Sequence, residues 1–576
     1  MNIFTELKQE IIDVVLSLYP ESNISNINTE FTKDPLNGDI ATNAAMILAP
    51  QIKKAPREIA MQIQGKLKNI SYIAHIEIAG PGFINFTIKI EKWHDYIDYI
   101  IEKDVQFGDC DIGEGKKVNL EYVSANPTGP MHIGHARGAV YGDVLANLLR
   151  KSGYDVTKEY YINDAGVQMD VLSESIYLRY LEIATKKPID IPEGLYPGEY
   201  LIPVAQKIFD KYDMELVDFT KDKYMPLIKE IAVDEMMQII KCDLADMGIH
   251  HDVFFSENSL HESNAIDKEV DKLKEKSLVY IGKLAPPKGK EDKNWEGREQ
   301  LLFKTTDYGD DQDRPLQKSD NSWTYFAADI AYAADKINRG FNNIIMVVGA
   351  DHVGYIKRME AIVRAVSNEK ASVDIKTCQL VNFIKDGEPV KMSKRAGTFT
   401  TVRDVIDAVG KDIIRFIMLT RKNDALMDFD LDKVKETSKE NPVFYVQYAC
   451  VRTLSILNNC KEQMPEAYSY FEKCEANLSE LVTEEEVGII KLLASWPKIV
   501  ENASMQCEPH RVAFYLQELA ASFHSMWNYG KDNPSFRFMI EGEDELTAAR
   551  MKLVSAISVV LRSGLDVMGI KPMEKM

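Results

Sequence analysis

The sequence contains no run of about 18 consecutive apolar residues, so no membrane-spanning helix is expected. It also lacks a C-x-x-C pair: its seven cysteines, at 110, 242, 378, 450, 460, 474 and 507, are odd in number and scattered. That excludes a disulfide framework, gives no zinc-site spacing and favours a reducing compartment. There is no internal repeat and no low-complexity tract. Positive charge is short, since 69 Lys and Arg against 89 Asp and Glu leave a net charge of −20. A generally basic nucleic-acid coat is excluded, whereas a local basic groove on an acidic body is not. The first residues are no secretory signal, because Glu6, Glu10 and Asp13 interrupt any apolar core there. A soluble cytoplasmic protein is the expectation.

What is present suits a multidomain protein. The 576 residues suggest about three or four domains, and a hydrophobic fraction of 45% fills several cores. Phe4, Leu7, Ile11, Val14, Val15 and Leu18 fall on one helix face, and Pro20 ends that helix. Ile76, Ile78, Ile84, Phe86 and Ile88 alternate around Gly80-Pro81-Gly82, a strand–turn–strand pattern. The Gly- and Asp-rich stretch 108–115 reads as a linker. Lys117–Val123 then reads as a strand, followed by the turn Asn126-Pro127-Thr128-Gly129-Pro130 and a helix that Gly153 stops. Strand, Gly/Pro turn and helix N-terminus open a parallel nucleotide-binding sheet. A second such unit runs from Ile344–Val348 through Gly349-Ala350-Asp351-His352 to a helix from about Ile356. A third strand, Leu380–Ile384, enters a hairpin turn at Asp386-Gly387. Residues 166–184 and 220–247 read as helical, 284–320 as loop, and everything after about 440 as helix.

Two motifs carry chemistry. His132-Ile133-Gly134-His135 sits at the mouth of a helix, where backbone N–H groups, the dipole and imidazole donors together favour phosphate. Alone it suits a structural turn equally well. Lys391-Met392-Ser393-Lys394-Arg395 is a short basic loop after the hairpin, and alone it suits a solvated charge run. The two together, about 260 residues apart, are unlikely by chance.

The pair resembles the signature motifs of class I aminoacyl-tRNA synthetases. Longer strings are similar to the arginyl-tRNA synthetase family: Glu121-Tyr122-Val123-Ser124-Ala125-Asn126-Pro127, Tyr160–Gly166, Asp313–Leu316, Tyr325–Asp329, Asn441–Ala449 and Gly38–Asn43. The resemblance covers essentially the whole chain. Arg395 departs from it, standing where most relatives have serine. The residues themselves suit arginine, because a planar, always charged guanidinium needs carboxylates in a fixed fork. Tyr325 and Asp329, four apart on a helix, supply a ring and a carboxylate on one side, and Glu121 ends the first strand.

The resemblance implies a multidomain α/β fold. It has an N-terminal α+β module over 1–112, a Rossmann-type parallel-sheet catalytic domain over 113–439 and an all-α helical bundle over 440–576. It implies ATP-dependent activation of L-arginine and transfer to tRNA(Arg), with Mg²⁺ accompanying ATP and no structural metal. His132, His135, Lys391 and Lys394 are the catalytic candidates. Gly134, Gly349, Asp351 and His352 join them for ATP. Glu121, Tyr325 and Asp329 take the guanidinium end of arginine, and Ser124 and Asn126 its amino and carboxylate end. Phe83 and Asn85, then Tyr448, Arg452, Trp527 and Met576, are assigned to tRNA. No membrane or DNA partner is expected, and a monomer is. Two alternatives stay open: another nucleotidyltransferase with H-x-G-H phosphate chemistry, and a catalytically inactive synthetase-like RNA-binding protein. His250-His251-Asp252 reads as surface polar residues, and His510 and His524 as surface or satisfied core.

Overall fold

Val118, Asn119, Leu120 and Glu121 are all buried in one short strand, β1 (Lys117–Glu121), so no face of it meets water. A strand covered on both faces is the mark of a parallel sheet with helices on either side. The computed structural model describes residues 1–284, 298–390, 400–436 and 440–575, and it places β1 at the centre of such a sheet. From β1 the chain enters helix α1 (Ile133–Lys151) and returns as β2 (Asp155–Ile162), which pairs with β1 from Lys117↔Asp155 to Glu121↔Glu159. After an inserted helical region comes β3 (Val253–Ser256), beside β2. Helix α2 (Tyr325–Asn338) then leads to β4 (Asn343–Gly349), which pairs with the other edge of β1. Helix α3 (Ile356–Ser367) leads to β5 (Ser372–Cys378) beyond it. The spatial order is β5-β4-β1-β2-β3, with every pairing parallel. The winding reverses between β1 and β4, and in such sheets the crevice at the carboxyl ends of those two strands is where ligands bind.

A second, smaller sheet follows. β6 (Val381–Lys385) turns back as β7 (Glu388–Pro389) and lies parallel to β8 (Met427–Asp430). The reading of 284–320 as loop is corrected in part: Gln300–Phe303 and Arg314–Pro315 join Val279–Gly282 in a three-stranded antiparallel sheet. Leu302 and Phe303 are buried there, which pays the cost of ordering a charged stretch. The surface reading of His251 is also corrected. Its ring lies 4.3 Å from that of Tyr122 and 5.5 Å from that of Tyr160, and burial lowers its pKa to about 4. His250 is exposed, and Asp252 accepts the Lys158 main-chain N–H at 2.8 Å.

These elements, residues 111–437, form one compact unit together with 504–510. The other unit gathers residues 1–110 with 438–503 and 511–576. In it, a four-stranded antiparallel sheet is flanked by helices Ile3–Leu18 and Pro56–Leu67, and helix Ile90–Lys103 packs on the C-terminal helix Asp544–Val567. Trp496 Nε1–H donates to the Phe107 carbonyl at 3.0 Å, and Lys552 pairs with Asp98 at 2.5 Å. His94 and the Leu481 carbonyl lie 2.9 Å apart. His510 and His524 are both buried, and His524 is satisfied by hydrogen bonds on both nitrogens.

Packing beneath β1 is tight enough to specify single atoms. A Cβ at Gly142 of α1 would run into the Tyr122 ring, whereas one at Gly138 on the same helix meets nothing within 4 Å. Gly142→Ala should therefore destabilise the protein by about 1–3 kcal/mol through overpacking. Gly138→Ala should be neutral or stabilise by up to about 1 kcal/mol through helix propensity. Thermal melts of the two variants beside the parent check this, and equal shifts would refute the packing argument.

Candidate active site

The phosphate candidates stand at the first turn of α1. His132 is its N-cap, with extended backbone, and its N–H donates to His135 Nδ1 at 3.2 Å. The two rings stack with centroids 3.8 Å apart and planes 23° apart. Gly134 makes this possible: a Cβ there would lie 2.9 Å from His132 Nδ1. The two imidazoles therefore form one plate beside the helix N-terminus, where the dipole favours an anion. Lys391 and Lys394, with Arg395, lie outside the described residues. Both flanks of their segment are anchored. Val390 N–H donates to the Phe383 carbonyl at 2.8 Å, and Val402 N–H to the Met131 carbonyl at 2.8 Å, while Thr401 bridges to His132 itself.

Gly349 closes β4, and Ala350–Tyr355 follows as a 3-10 turn. Asp351 and His352 are exposed there, 3.6 Å apart, and the Asp351 carboxylate folds back over Gly349 into space a side chain would need. They stand at the carboxyl end of the strand next to β1, on the ligand side of the crevice.

The chain leaves β1 under strain. Val123 has φ 71° and Ser124 φ 42°, a left-handed conformation that is costly for a β-branched residue. Neighbours on β2 hold it: Tyr161 N–H donates to Ser124 Oγ at 3.1 Å, and the Tyr160 hydroxyl to the Ala125 carbonyl at 2.6 Å. Asn126 Nδ2 donates to Gln168 Oε1 at 2.9 Å and remains near the surface. This bend turns the chain from Glu121 to the H-x-G-H helix.

Glu121 is 7% exposed and paired with Lys336 of α2 at 2.5 Å, a buried pair rather than a rim salt bridge. Asp329, two turns earlier on α2, accepts a hydrogen bond from the Tyr355 hydroxyl. Its pKa is raised to about 7, first by burial and then by the charges of Glu257 and Glu121; the Tyr355 hydrogen bond and Lys336 oppose the rise. Glu257, directly after β3, is 3% exposed, and burial pushes its pKa up as well, against a hydrogen bond from Tyr161. Tyr325 is 58% exposed at the start of α2, with its hydroxyl beside Gly166. A neighbouring carboxylate, Glu159, is already saturated. It accepts from Asn119, Tyr332 and both terminal nitrogens of Arg339; burial pushes its pKa up, but Arg339, Lys336 and Tyr332 together hold it down.

The structure thus brings Glu121 and Asp329 to one cluster and adds Glu257, Lys336 and Tyr355, which sequence reasoning missed. Lys336 was findable as a lysine seven residues after Asp329, on the same helix face. Glu257 would have followed from recognising β3 as a third parallel strand. Asp329 lies in the field of Glu257 and Glu121, and Lys336, paired with Glu121, opposes it.

Two aromatic surfaces lie in the other unit. Phe83 is 40% exposed and Asn85 is buried on the same strand, and both line a cavity of about 500 Å³ with Phe31, Lys33, Asn43 and Met46. Arg452 Nη2 donates to the Tyr448 hydroxyl at 2.6 Å, and its guanidinium lies 4.3 Å from the Tyr448 ring centre and 4.8 Å from that of Trp527. His524 Nδ1 accepts from Arg452, and His524 Nε2–H donates to the Tyr445 carbonyl, which fixes that arginine in place. Tyr448, Arg452 and Trp527 therefore form one stack. Trp527 also lines a cavity of about 380 Å³ with Asn459, Phe536 and Arg537. Met576 lies outside the described residues.

Comparison with known proteins matches this arrangement segment by segment. The model of the arginyl tRNA synthetase N terminal domain matches residues 2–88, that of the tRNA synthetases class I (R) catalytic domain residues 96–453, and that of the DALR anticodon binding domain residues 446–576. The chain is 55% identical to the arginine–tRNA ligase of Rickettsia akari (strain Hartford) and 56% to that of Rickettsia conorii (strain ATCC VR-613 / Malish 7), with 100% of both chains covered in each case. It shares the fold of the Thermus thermophilus arginyl-tRNA synthetase, with a TM-score of 0.73 at 18% identity over 99% of this chain and 100% of that one. Identity above one half along the whole length, with all three family models in order, makes the chain a member of the class I arginyl-tRNA synthetase family.

Proposed function

We propose that the chain activates L-arginine with ATP and transfers it to tRNA(Arg), an arginine–tRNA ligase. The observation that carries this reading is the cation-deficient cluster of Glu121, Glu257 and Asp329, which shares the sheet's carboxyl edge with the stacked histidines of α1. A nucleotidyltransferase for an uncharged substrate has no use for that cluster. An inactive RNA-binding relative has no use for it beside an intact H-x-G-H motif.

In the first step an oxygen of the arginine carboxylate attacks the α-phosphorus. The bond from that phosphorus to the β-phosphate oxygen breaks, and pyrophosphate leaves. The protein's share is positioning and charge stabilisation. Asp329 and Glu121 take the guanidinium, with Tyr325 as a wall, and Ser124 and Asn126 border the amino and carboxylate end. His132, Gly134 and His135 receive the phosphates at the helix N-terminus. Lys391 and Lys394 neutralise the leaving pyrophosphate; the anchoring of Thr401 and Val402, just after their segment, at His132 and Met131 supports this. Gly349, Asp351 and His352 border the adenosine. Mg²⁺ carried in with ATP would neutralise triphosphate charge. Among the described residues no group of three or more His, Cys, Asp or Glu is placed to hold an ion.

In the second step the 2′-hydroxyl of the terminal ribose attacks the arginyl carbonyl, and AMP leaves with the acyl–phosphate bond. Phe83 with Asn85, and the Tyr448–Arg452–Trp527 stack, offer unpaired bases the aromatic and cationic contacts that a chain of net charge −20 cannot supply by overall attraction. One chain supplies every group assigned here, which supports action as a monomer. Seven free thiols support a reducing, cytoplasmic setting.

Loss of Lys394 or His135 removes charge stabilisation from the transition state. Lys394→Ala and His135→Ala should each lower kcat for adenylate formation by about 10²–10³. Arginine affinity should change little. ATP–pyrophosphate exchange with tRNA present reads this, and a variant at the parent rate would remove that residue from the mechanism.

Asp329→Asn separates binding from stability. Without its charge, arginine KM should rise by the equivalent of roughly 3–5 kcal/mol, and KM for ATP far less. A carboxyl with a folded pKa near 7 against an ordinary 3.8 stabilises the fold at low pH, and that stabilisation is lost as pH rises through 7. At pH 8 the ligand-free Asn variant should therefore melt higher than the parent. A lower melt with equal losses for arginine and ATP would make Asp329 structural.

A further inference from the structure

Arg137 of α1 follows His132 by five residues and is 1% exposed, yet among the described residues no carboxylate pairs with it. Its guanidinium is spent on main chain. Nη1 donates to the carbonyls of Gln379 at 3.1 Å and Ala425 at 2.7 Å, and Nη2 to that of Lys422 at 2.6 Å. Gln379 precedes β6, and Lys422 and Ala425 precede β8, the parallel partner of β6. One side chain therefore grips the entry to both strands of the small sheet, and β6 leads through its hairpin into residues 391–399. Burial pushes the Arg137 pKa down, against the fields of Cys378 and Asp424, and main-chain carbonyls in such a fan suit a forked guanidinium and not an ammonium. A second tie runs in parallel: Arg415, fully buried, donates to Asp143 of α1 at 2.6 Å and to the Met247 carbonyl at 3.0 Å.

We propose that Arg137 is a positioning residue for adenylate formation: by gripping the main chain at Gln379, Lys422 and Ala425, it sets the sheet that leads to Lys391 and Lys394 against the H-x-G-H helix. It touches neither substrate nor the reacting atoms. This rests on the ligase reading above and deepens it, because the helix that carries His132 and His135 also holds the main chain before β6 and β8. Asn423 belongs to the same junction from a less buried position, since its Nδ2 donates to the Thr377 carbonyl at 2.9 Å and its own carbonyl accepts from Gln379 N–H at 2.8 Å.

A double-mutant cycle with Lys394 tests it. Pyrophosphate exchange is measured with arginine, ATP and tRNA, normalised to active sites, and arginine Kd is measured by calorimetry. Arg137→Lys should lower the adenylation rate by about tenfold with arginine Kd unchanged, and in a Lys394→Ala background it should cost less than about twofold, because placing a lysine that is absent gains nothing. The same fold-loss in both backgrounds, or no loss in either, overturns the proposal. Asn423→Ala should show the same non-additivity at smaller amplitude, and it decides the question by the same two outcomes if Arg137→Lys does not fold. Failure of the unaltered protein to form arginyl adenylate with tRNA would overturn the ligase reading, a result distinct from additivity in an active enzyme.

Discussion

Buried negative charge at the carboxyl ends of β1 and β3 is the constraint around which the catalytic unit is arranged. Burial first, and then the charges of Glu257 and Glu121, raise the pKa of Asp329 to about 7, against the Tyr355 hydrogen bond and Lys336; Lys336 is itself paired with Glu121. Such a cluster destabilises the protein that carries it. The surrounding fold holds it in place: α2 presents Asp329 and Lys336 from one face, Tyr355 braces Asp329, and Arg339 with Tyr332 disposes of the neighbouring Glu159. In the proposed reaction the guanidinium of arginine restores the balance.

The phosphate end depends on the same sheet by another route. The left-handed turn at Val123 and Ser124 carries the chain from the carboxylate cluster to the N-terminus of α1. Its first turn stacks His132 on His135, and its second turn sends Arg137 to the main chain before β6 and β8. In the proposed reaction, amino acid and nucleotide are referred to one strand and one helix, which suits catalysis that is mostly alignment.

Much of this was legible in the sequence. β1 with α1 and β4 with α3 announce themselves through apolar runs and Gly-bearing turns, and the H-x-G-H and K-M-S-K strings mark the phosphate end. β2 did not, because Lys158 and Glu159 interrupt its pattern; in the fold they are buried against Asp143 and Arg339. His251 looked like surface for a similar reason, until Tyr122 and Tyr160 enclosed it. Arg137 was illegible in a deeper sense: its partners are carbonyls, which every residue has. The union of residues 1–110 with the C-terminal helices is carried by contacts such as Trp496 to Phe107, separated by 389 positions, and no local pattern reports those.

Proton release on arginine binding tests most directly whether the cluster of Glu121, Glu257 and Asp329 takes the guanidinium. With its pKa raised to about 7, Asp329 holds a proton at lower pH, and a guanidinium that pairs with it would expel that proton. Calorimetric titration with arginine in two buffers of different ionisation enthalpy, at pH 6 and pH 8, counts those protons. Release of close to one proton at pH 6, very little at pH 8, and an affinity that falls by up to about tenfold per pH unit below 7 are predicted. Binding with no proton release at pH 6 and a flat affinity across that range would contradict it.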